Sequence, residues 1–355
     1  DPPEDLAGRV PLNGWVLISR DNRMTVMLAK SEMGQGVMTS LAMLVAEELD
    51  VPLSMVDVRQ APMRKIYGDT TMAGDGLPFH PDDNGWLKRS LQWMTTKAMR
   101  EVGLIVTGGS SSVKDSWLPM REAGAAARAR LVAAAARNWK VPPAECETGG
   151  GRITHPSGLT ATYGELAAAA ASVPVPKEVK LKDASEFKIV GKPITRLDIP
   201  SKTNGTAKFG IDTKLDGMVY ASIEQTPVIG GKVVSFDGAK AKSMPGVIDV
   251  VQISDGVAVV ADTYWHAVNA RKKGLKVQFD GGAGAGLSTA GIWKAIADAD
   301  KEIKPIKIRP DVGDAAGAIA GAKKVVKAEY RTQLIAHQPL EPMNFIANVQ
   351  GDKCE

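Results

Sequence analysis

The chain has 355 residues, 44% apolar and 24% charged, and its 44 basic and 40 acidic side chains leave a net charge of +4. That length suits two or three domains, and the near-cancelling charge excludes a polybasic nucleic-acid binder. There is no run of about 18 apolar residues of the kind a membrane-spanning helix needs. Only Cys146 and Cys354 are available, which excludes a disulfide framework and a cysteine-ligated iron–sulfur cluster held by this chain. The opening at Asp1, without methionine or a signal-like stretch, is expected of a processed or trimmed product.

Residues 1–22 read as a polar lead-in beginning Asp1-Pro2-Pro3, then a strand at Trp15–Ile18 that Arg20-Asp21-Asn22-Arg23 turns back as a hairpin. In the returning strand Met24, Val26 and Leu28 alternate with Thr25, Met27 and Ala29, the period of a strand with one buried face. Ser31-Glu32-Met33-Gly34-Gln35-Gly36 follows, and then Val37, Leu41, Leu44, Val45 and Leu49 recur at helical spacing. A strand, a Gly-X-Gly turn and a helix start gather backbone N–H groups and the helix dipole around one point. Such a point suits an anion or the polar edge of a cofactor, and Gln35 can offer it both a donor and an acceptor. A turn whose glycines merely relieve strain gives the same pattern. Met55–Arg59 alternates again, so the unit is strand, helix, strand.

Tyr67–Arg100 breaks this rhythm. A loop from Gly74 to Asp83 precedes a helix over about Trp86–Met99, with Leu87, Leu91, Met94 and Ala98 on one face. Loops this long are usually functional or mobile. His80 beside Asp82 and Asp83 reads as part of a solvated loop rather than as a metal ligand, and no metal site is assigned. Next, Thr107-Gly108-Gly109-Ser110-Ser111-Ser112 leads into a long alanine-rich helix interrupted early by Pro119. The serines suit a plain helix cap, but three of them after two glycines also suit a cradle for phosphate or pyrophosphate. Lys114 falls too late for a phosphate loop, and no dinucleotide fingerprint is present.

The stretch Val173-Pro174-Val175-Pro176 ends a further helix and reads as a domain boundary, with Lys177, Lys180 and Lys182 solvated beyond it. Phe187–Asp216 reads as an extended polar connector. Met218–Phe279 forms an α+β unit with strands at Met218–Ile223, Val233–Phe236, Val247–Ile253, Val257–Ala261 and Leu275–Phe279. Its helices fall at Ala239–Ser243 and Thr263–Lys273. No catalytic pairing occurs there, and its role reads as structural or interfacial. Gly281–Gly286 reads as a flexible linker. Helices at Ser288–Ala299 and Ala315–Ala320, a strand at Lys324–Tyr330 and a last strand near His337–Asn344 complete the reading.

Together these stretches resemble a family. Glu32-Met33-Gly34-Gln35-Gly36 with Ala46-Glu47-Glu48-Leu49 is similar to the cofactor-facing segment of the large subunit of molybdenum hydroxylases, the xanthine dehydrogenase and aldehyde oxidase group. Thr107–Ser112 resembles the run those proteins wrap around molybdopterin. Gly191-Lys192-Pro193, Arg196–Lys202 and Gly205–Asp212 resemble the entry to their hammerhead domain, and Ala336–Asn344 the return to the molybdenum-binding part. The Gly-Gln-Gly segment precedes the hammerhead, an order that resembles the N-terminal half of the isoquinoline 1-oxidoreductase beta-subunit and periplasmic aldehyde dehydrogenase type.

The resemblance implies an α+β fold: a molybdopterin-binding segment over 1–180 with an insertion at 67–100, a connector at 181–216, an a/b hammerhead domain at 217–282, and the linker and start of a further molybdenum-binding domain over 283–355. It implies molybdopterin cytosine dinucleotide as cofactor. Gln35 would lie beside the molybdenum, flanked by Gly34 and Gly36, while Thr107, Gly108, Gly109, Ser110, Ser111 and Ser112 would hold the pterin and its phosphates. The implied reaction hydroxylates an aldehyde or N-heterocycle with oxygen from water. The family's glutamate base has no match here, and Glu341, within the return segment, is no substitute. The chain is therefore expected to be inactive alone and to need the other half of the molybdenum-binding polypeptide or a second chain. The implied electron partners are a [2Fe–2S] protein and a c-type cytochrome. The implied location is the periplasm, associated with the inner membrane through partners. The competing expectations are a cofactor-free structural or assembly protein, and a nucleotide binder using the Thr107–Ser112 cradle.

Overall fold

The computed structural model describes residues 8–79, 82–302, 313–336, 338 and 340–354. The lead-in Asp1-Pro2-Pro3, His80, and His337 and Pro339 of the return segment lie outside the described residues. The chain divides into two units, Asp1–Ala207 and Lys208–Glu355.

The first unit is built on a four-stranded sheet of β1 (Arg9–Pro11), β2 (Val16–Ser19), β3 (Met24–Leu28) and β4 (Val56–Gln60), in that spatial order. The hairpin β2–β3 is antiparallel, as the Asn22-containing turn dictates, and Asn22 takes the left-handed conformation at φ 65°. β3 and β4 are parallel, Met24 facing Val56 and Leu28 facing Gln60, with α1 (Val37–Leu49) as the crossover. Ten of the thirteen residues of α1 are buried. α4 (Ser112–Trp139) packs along it, and α5 (Tyr163–Ala171) packs on α4, β1 and β2. A small sheet of β5 (Glu147–Gly149), β6 (Arg152–Thr154) and β7 (Thr160–Thr162) leads into α5, which Thr162 and Glu165 start with a reciprocal capping box.

The expected single buried face of β3 is corrected: all five of its residues are buried. Met24, Val26 and Leu28 join the main core beneath α1 and α4, whereas Met27 joins Leu17, Ala61 and Tyr67 on the opposite side. Tyr67 meets Trp15 edge-on at 5.5 Å and donates its hydroxyl to the Gly14 carbonyl. The start of the Tyr67–Arg100 segment therefore closes the second face of the sheet. Within that segment come α2 (Thr71–Asp75) and α3 (Trp86–Val102); no α3 residue is buried, and its Leu87 and Met94 are exposed.

Of the lysines after Pro176, Lys177 and Lys180 are exposed as expected, and Lys182 departs from that expectation. Lys182 is only 10% exposed; it pairs with Asp50 at 2.5 Å and donates to the Glu47 carbonyl. Residues 188–190 of the expected extended polar connector send three N–H groups to the Glu47 carboxylate at 2.6–3.1 Å. Short polar ties hold this stretch against α1, up to α6 (Ile199–Thr203).

In the second unit β8 (Tyr220–Gln225), β10 (Val247–Ile253) and β11 (Gly256–Ala261) form an antiparallel sheet in the order β10-β11-β8, and β9 (Val233–Asp237) pairs with β12 (Lys276–Phe279). α7 (Ala239–Lys242) and α8 (Tyr264–Gly274) cover Val259, with Ala241 and Ala270 completely buried. Gly281–Gly286 is a turn rather than a free linker, with Gly284 buried and its carbonyl accepting the Leu287 N–H at 3.0 Å. α9 (Thr289–Glu302) and α10 (Ala315–Ala320) match expectation. The strand expected at Lys324–Tyr330 is not formed among the described residues: 324–330 are exposed and no described strand bonds to them. Nor is the described part of 336–344 a strand; the nearest are the two-residue β13 (Val349–Gln350) and β14 (Lys353–Cys354).

Gly124 sets how closely α1 and α4 approach. A Cβ there would stand 2.8 Å from the Val45 carbonyl oxygen and 2.9 Å from Glu48 Cβ. Gly124→Ala should therefore lower the melting temperature, a net loss of about 1–2 kcal/mol, although alanine favours a helix by about 1 kcal/mol. An unchanged or raised melting temperature would disprove this close contact.

Candidate cofactor-binding site

The Gly-Gln-Gly turn joins β3 to α1 because Gly34 and Gly36 both take positive φ, 98° and 89°. Around this turn the carboxylate of Glu32 does what an external anion would do. It accepts from the N–H groups of Gly34 (2.8 Å), Gly36 (2.9 Å) and Met38 (3.0 Å), at the start of α1. Burial alone would push its pKa up, but those three amides and Arg196 outweigh it and hold the carboxyl below its ordinary value. The helix start expected to receive an anion is thus filled by the chain's own Glu32. Gln35 is exposed, accepts the Met33 N–H at 2.6 Å and donates to the Ser31 carbonyl at 2.9 Å.

The second corner, Thr107–Ser112, opens α4. Gly109 and Ser110 follow one another in the left-handed region, at φ 58° and 55°, and Ser111 returns to the right-handed one. A left-handed residue followed by a right-handed one turns successive N–H groups toward one point, the geometry of an anion nest. Ser111 stands at the cap position but does not cap: its hydroxyl donates to the Gly108 carbonyl at 2.8 Å and accepts from none of the first amides of the helix. The plain-cap reading of the serine run therefore fails at the one serine placed to act so.

These two corners touch. The N–H of Ser31 donates to the Thr107 hydroxyl at 2.8 Å, and Lys30 Nζ donates to the Val106 carbonyl at 3.2 Å. A Cβ at Gly34 or Gly36 would meet nothing within 4 Å, and at Gly108 and Gly109 only the Met72 side chain, at 4.0 and 3.9 Å. Both corners thus leave open room for a group to approach the backbone. That room and the nest fit a phosphate-bearing cofactor. Among the described residues no group of three or more His, Cys, Asp or Glu could hold a metal ion.

Several residues of the site were not singled out from the sequence. Lys30 is buried against Asp69 and Asp115, and Arg196 donates to the Gly34 carbonyl at 2.8 Å while pairing with Glu32 at 3.3 Å. A cavity of about 870 Å³ lies behind the second corner, lined by Trp15, Lys30, Tyr67, Thr70, Asp115 and Met120 among others, but by neither Gln35 nor residues 107–112. Lys30 and Asp115, which also contact the flanks of the corner, are among the cavity's lining residues.

Asp198 anchors Arg196 with bonds at 2.6 and 3.0 Å. Arg196 first, then Lys202, outweigh burial and hold the Asp198 carboxyl at about 2, below its ordinary 3.8. A lowered folded-state pKa adds stability that is complete above the unfolded value and vanishes as pH falls through the folded one. Asp198→Asn should cost about 1–2 kcal/mol at neutral pH and flatten the acid limb of stability between pH 3.8 and about 2. Denaturant melts at a series of pH values check this; an unaltered acid limb would refute it.

A family model described as a molybdopterin cofactor-binding domain matches residues 6–77, which include Glu32 and Gln35. A membrane-bound aldehyde dehydrogenase [pyrroloquinoline-quinone] of Gluconacetobacter polyoxogenes is 32% identical over 352 residues, covering 94% of this chain and 40% of that protein. The beta-subunit of isoquinoline 1-oxidoreductase from Brevundimonas diminuta is 29% identical over 392 residues, covering 96% of this chain and 45% of that protein. A nicotinate dehydrogenase polypeptide of Pseudomonas putida is 25% identical over 343 residues, 94% of this chain and 26% of that protein. The chain thus spans less than half the length of each of these relatives. With the cofactor-binding model lying on the Gln35 corner and the relatives matching nearly from end to end of this sequence, these likenesses support a fragment of a molybdenum hydroxylase large subunit.

Proposed function

We propose that this chain supplies the cofactor-holding corners of an oxidoreductase that hydroxylates an aldehyde or an N-heterocycle with oxygen from water. The observation that carries the reading is the 2.8 Å bond from Ser31 to Thr107, because it sets the Gly-Gln-Gly turn of the matched segment beside the Gly-Gly-Ser-Ser-Ser run outside it. When bound, a molybdopterin cofactor would supply the redox chemistry, and this chain's residues would bind and orient it. Thr107, Ser110, Ser111 and Ser112, with the amides that open α4, would hold its phosphates; Gly108 and Gly109 would admit them closely. Gln35, flanked by Gly34 and Gly36, would turn its amide from its own loop to the metal-bearing end. Glu32 is engaged by three amides and Arg196, so the general base would come from outside this corner.

The relatives' names span an aldehyde and two N-heteroaromatic substrates, which supports a carbon made electrophilic by a neighbouring heteroatom. The same likeness supports the cytosine dinucleotide form of the cofactor, an iron–sulfur partner with an onward cytochrome, and a periplasmic location. The alternative is a cofactor-free structural protein, favoured by one observation: the Gln35 amide is tied at both ends to its own loop.

Metal analysis of the purified complex separates these readings. We expect roughly one molybdenum per chain, with cytidine monophosphate released by acid. A complex free of molybdenum refutes the cofactor reading, and a quinone in its place would follow the name of the Gluconacetobacter relative instead. Ser110→Ala/Ser112→Ala should lower molybdenum content without lowering the melting temperature; full occupancy would refute the cradle. Gln35→Ala should fold normally and lower turnover about a hundredfold, and unchanged turnover would remove Gln35 from the site.

A further inference from the structure

Lys30 is the most deeply buried cation described in the first unit, with a side chain 1% exposed. Its ammonium contacts the Asp69 carboxylate, Asp115 Oδ2 at 3.0 Å and the Val106 carbonyl at 3.2 Å. An ammonium removed from water in this way requires such partners. Each partner leads to a different segment. Asp69 Oδ1 accepts the N–H groups of Thr71 and Met72, both at 3.0 Å, at the start of α2. Asp115, in the first turn of α4, accepts the N–H groups of Thr70 (3.0 Å) and Thr71 (3.2 Å) through Oδ1. Val106 immediately precedes Thr107, and the Ser111 hydroxyl reaches Asp69 Oδ2 at 3.5 Å. One cation thus ties residues 30–31, 69–72, 106–107 and 111–115 together, and Gly109 and Ser110 hang between the last two.

We infer that Lys30 is a positioning residue that fixes the Thr107–Ser112 corner against the Gln35 turn before any cofactor arrives. The inference rests on the cofactor reading above only for what the corner binds, not for how it is held. Ser110 adopts a left-handed conformation that a free loop would abandon, and the corner has few apolar side chains to hold it there. The ties on both sides of the corner, at Val106 and at Asp115, supply the restraint. A corner ordered in advance binds without the entropic cost of ordering it.

The test is hydrogen exchange on the cofactor-free full chain, paired with molybdenum content after cofactor loading. Lys30→Met leaves two buried carboxylates unpaired and can fail to fold. Lys30→Met/Asp69→Asn/Asp115→Asn removes the buried charge, while each asparagine Oδ1 can still accept the Thr70, Thr71 and Met72 amides. In this triple variant we expect amides 107–112 to exchange about a hundredfold faster, those of β2, β3 and α5 to keep their rates, and molybdenum content to fall about tenfold. Unchanged exchange at 107–112 overturns the inference, as does equal acceleration throughout the unit, which would make Lys30 a general stabiliser. Faster exchange confined to the corner with full molybdenum content would uphold the positioning role and refute the cofactor reading of that corner.

Discussion

A buried ammonium joins what would otherwise be two unrelated loops. Taking a lysine and two aspartates out of water costs several kcal/mol per ion, and close, multiply bonded partners are what offset it. Lys30, Asp69 and Asp115 have them: a carbonyl for the cation, and four backbone N–H bonds from Thr70, Thr71 and Met72 for the carboxylates. The polar solution follows from the residues to be held. Ser31, Thr107, Gly108, Gly109 and Ser110 have almost no apolar surface to bury, so hydrophobic packing cannot place them. Hydrogen bonds and charge can.

The same substitution of polar ties for packing recurs along α1. Glu47 and Glu48 sit in its last turn, where the helix dipole disfavours negative charge, and both are buried. Glu48 is paired with Arg121 at 2.7 Å, and Glu47 accepts the amides of residues 188–190. At the other end Glu32 occupies the favourable pole of the dipole and is held by Arg196. The stretch 182–198 thus runs over α1 fastened by acids at both of its ends, and it holds the Gly34 carbonyl through Arg196. The Gly34–Gly36 loop is thereby tied down without its open side being covered.

The regular elements were legible because their signals are local. Alternation at Met24–Leu28, the helical recurrence from Val37 to Leu49 and the Asn22 turn each lie within a few residues of what they specify, and the strands of the second unit follow their apolar runs. What escaped was burial decided by distant partners. Met27 and Thr25 read as an outward face, but Tyr67, some forty positions on, closes over Met27. Lys182 read as solvated because lysines usually are, and its partners Glu47 and Asp50 lie more than 130 positions away. Two signals were available. Glu48 stands four residues after Leu44 and seven after Leu41, on the apolar stripe of α1, and Lys30 extends the inward parity of Met24, Val26 and Leu28. A charge placed on a buried phase points to a partner elsewhere in the chain. The Gly-Gln-Gly corner was legible as a place for negative charge, but not that Glu32 would supply it.

The likeness to molybdenum hydroxylase subunits and the geometry meet at one proposal: that Gln35 and Ser110 serve a single site although 75 positions separate them. Comparing amide exchange in cofactor-loaded and cofactor-free protein, resolved over residues 31–36 and 107–112, addresses it directly. If both corners close on one cofactor, the two segments gain protection together on loading, while the second unit's β8 and β11 stay as they were. Protection of one corner alone, or of neither, would show that their contact in the fold serves no common ligand.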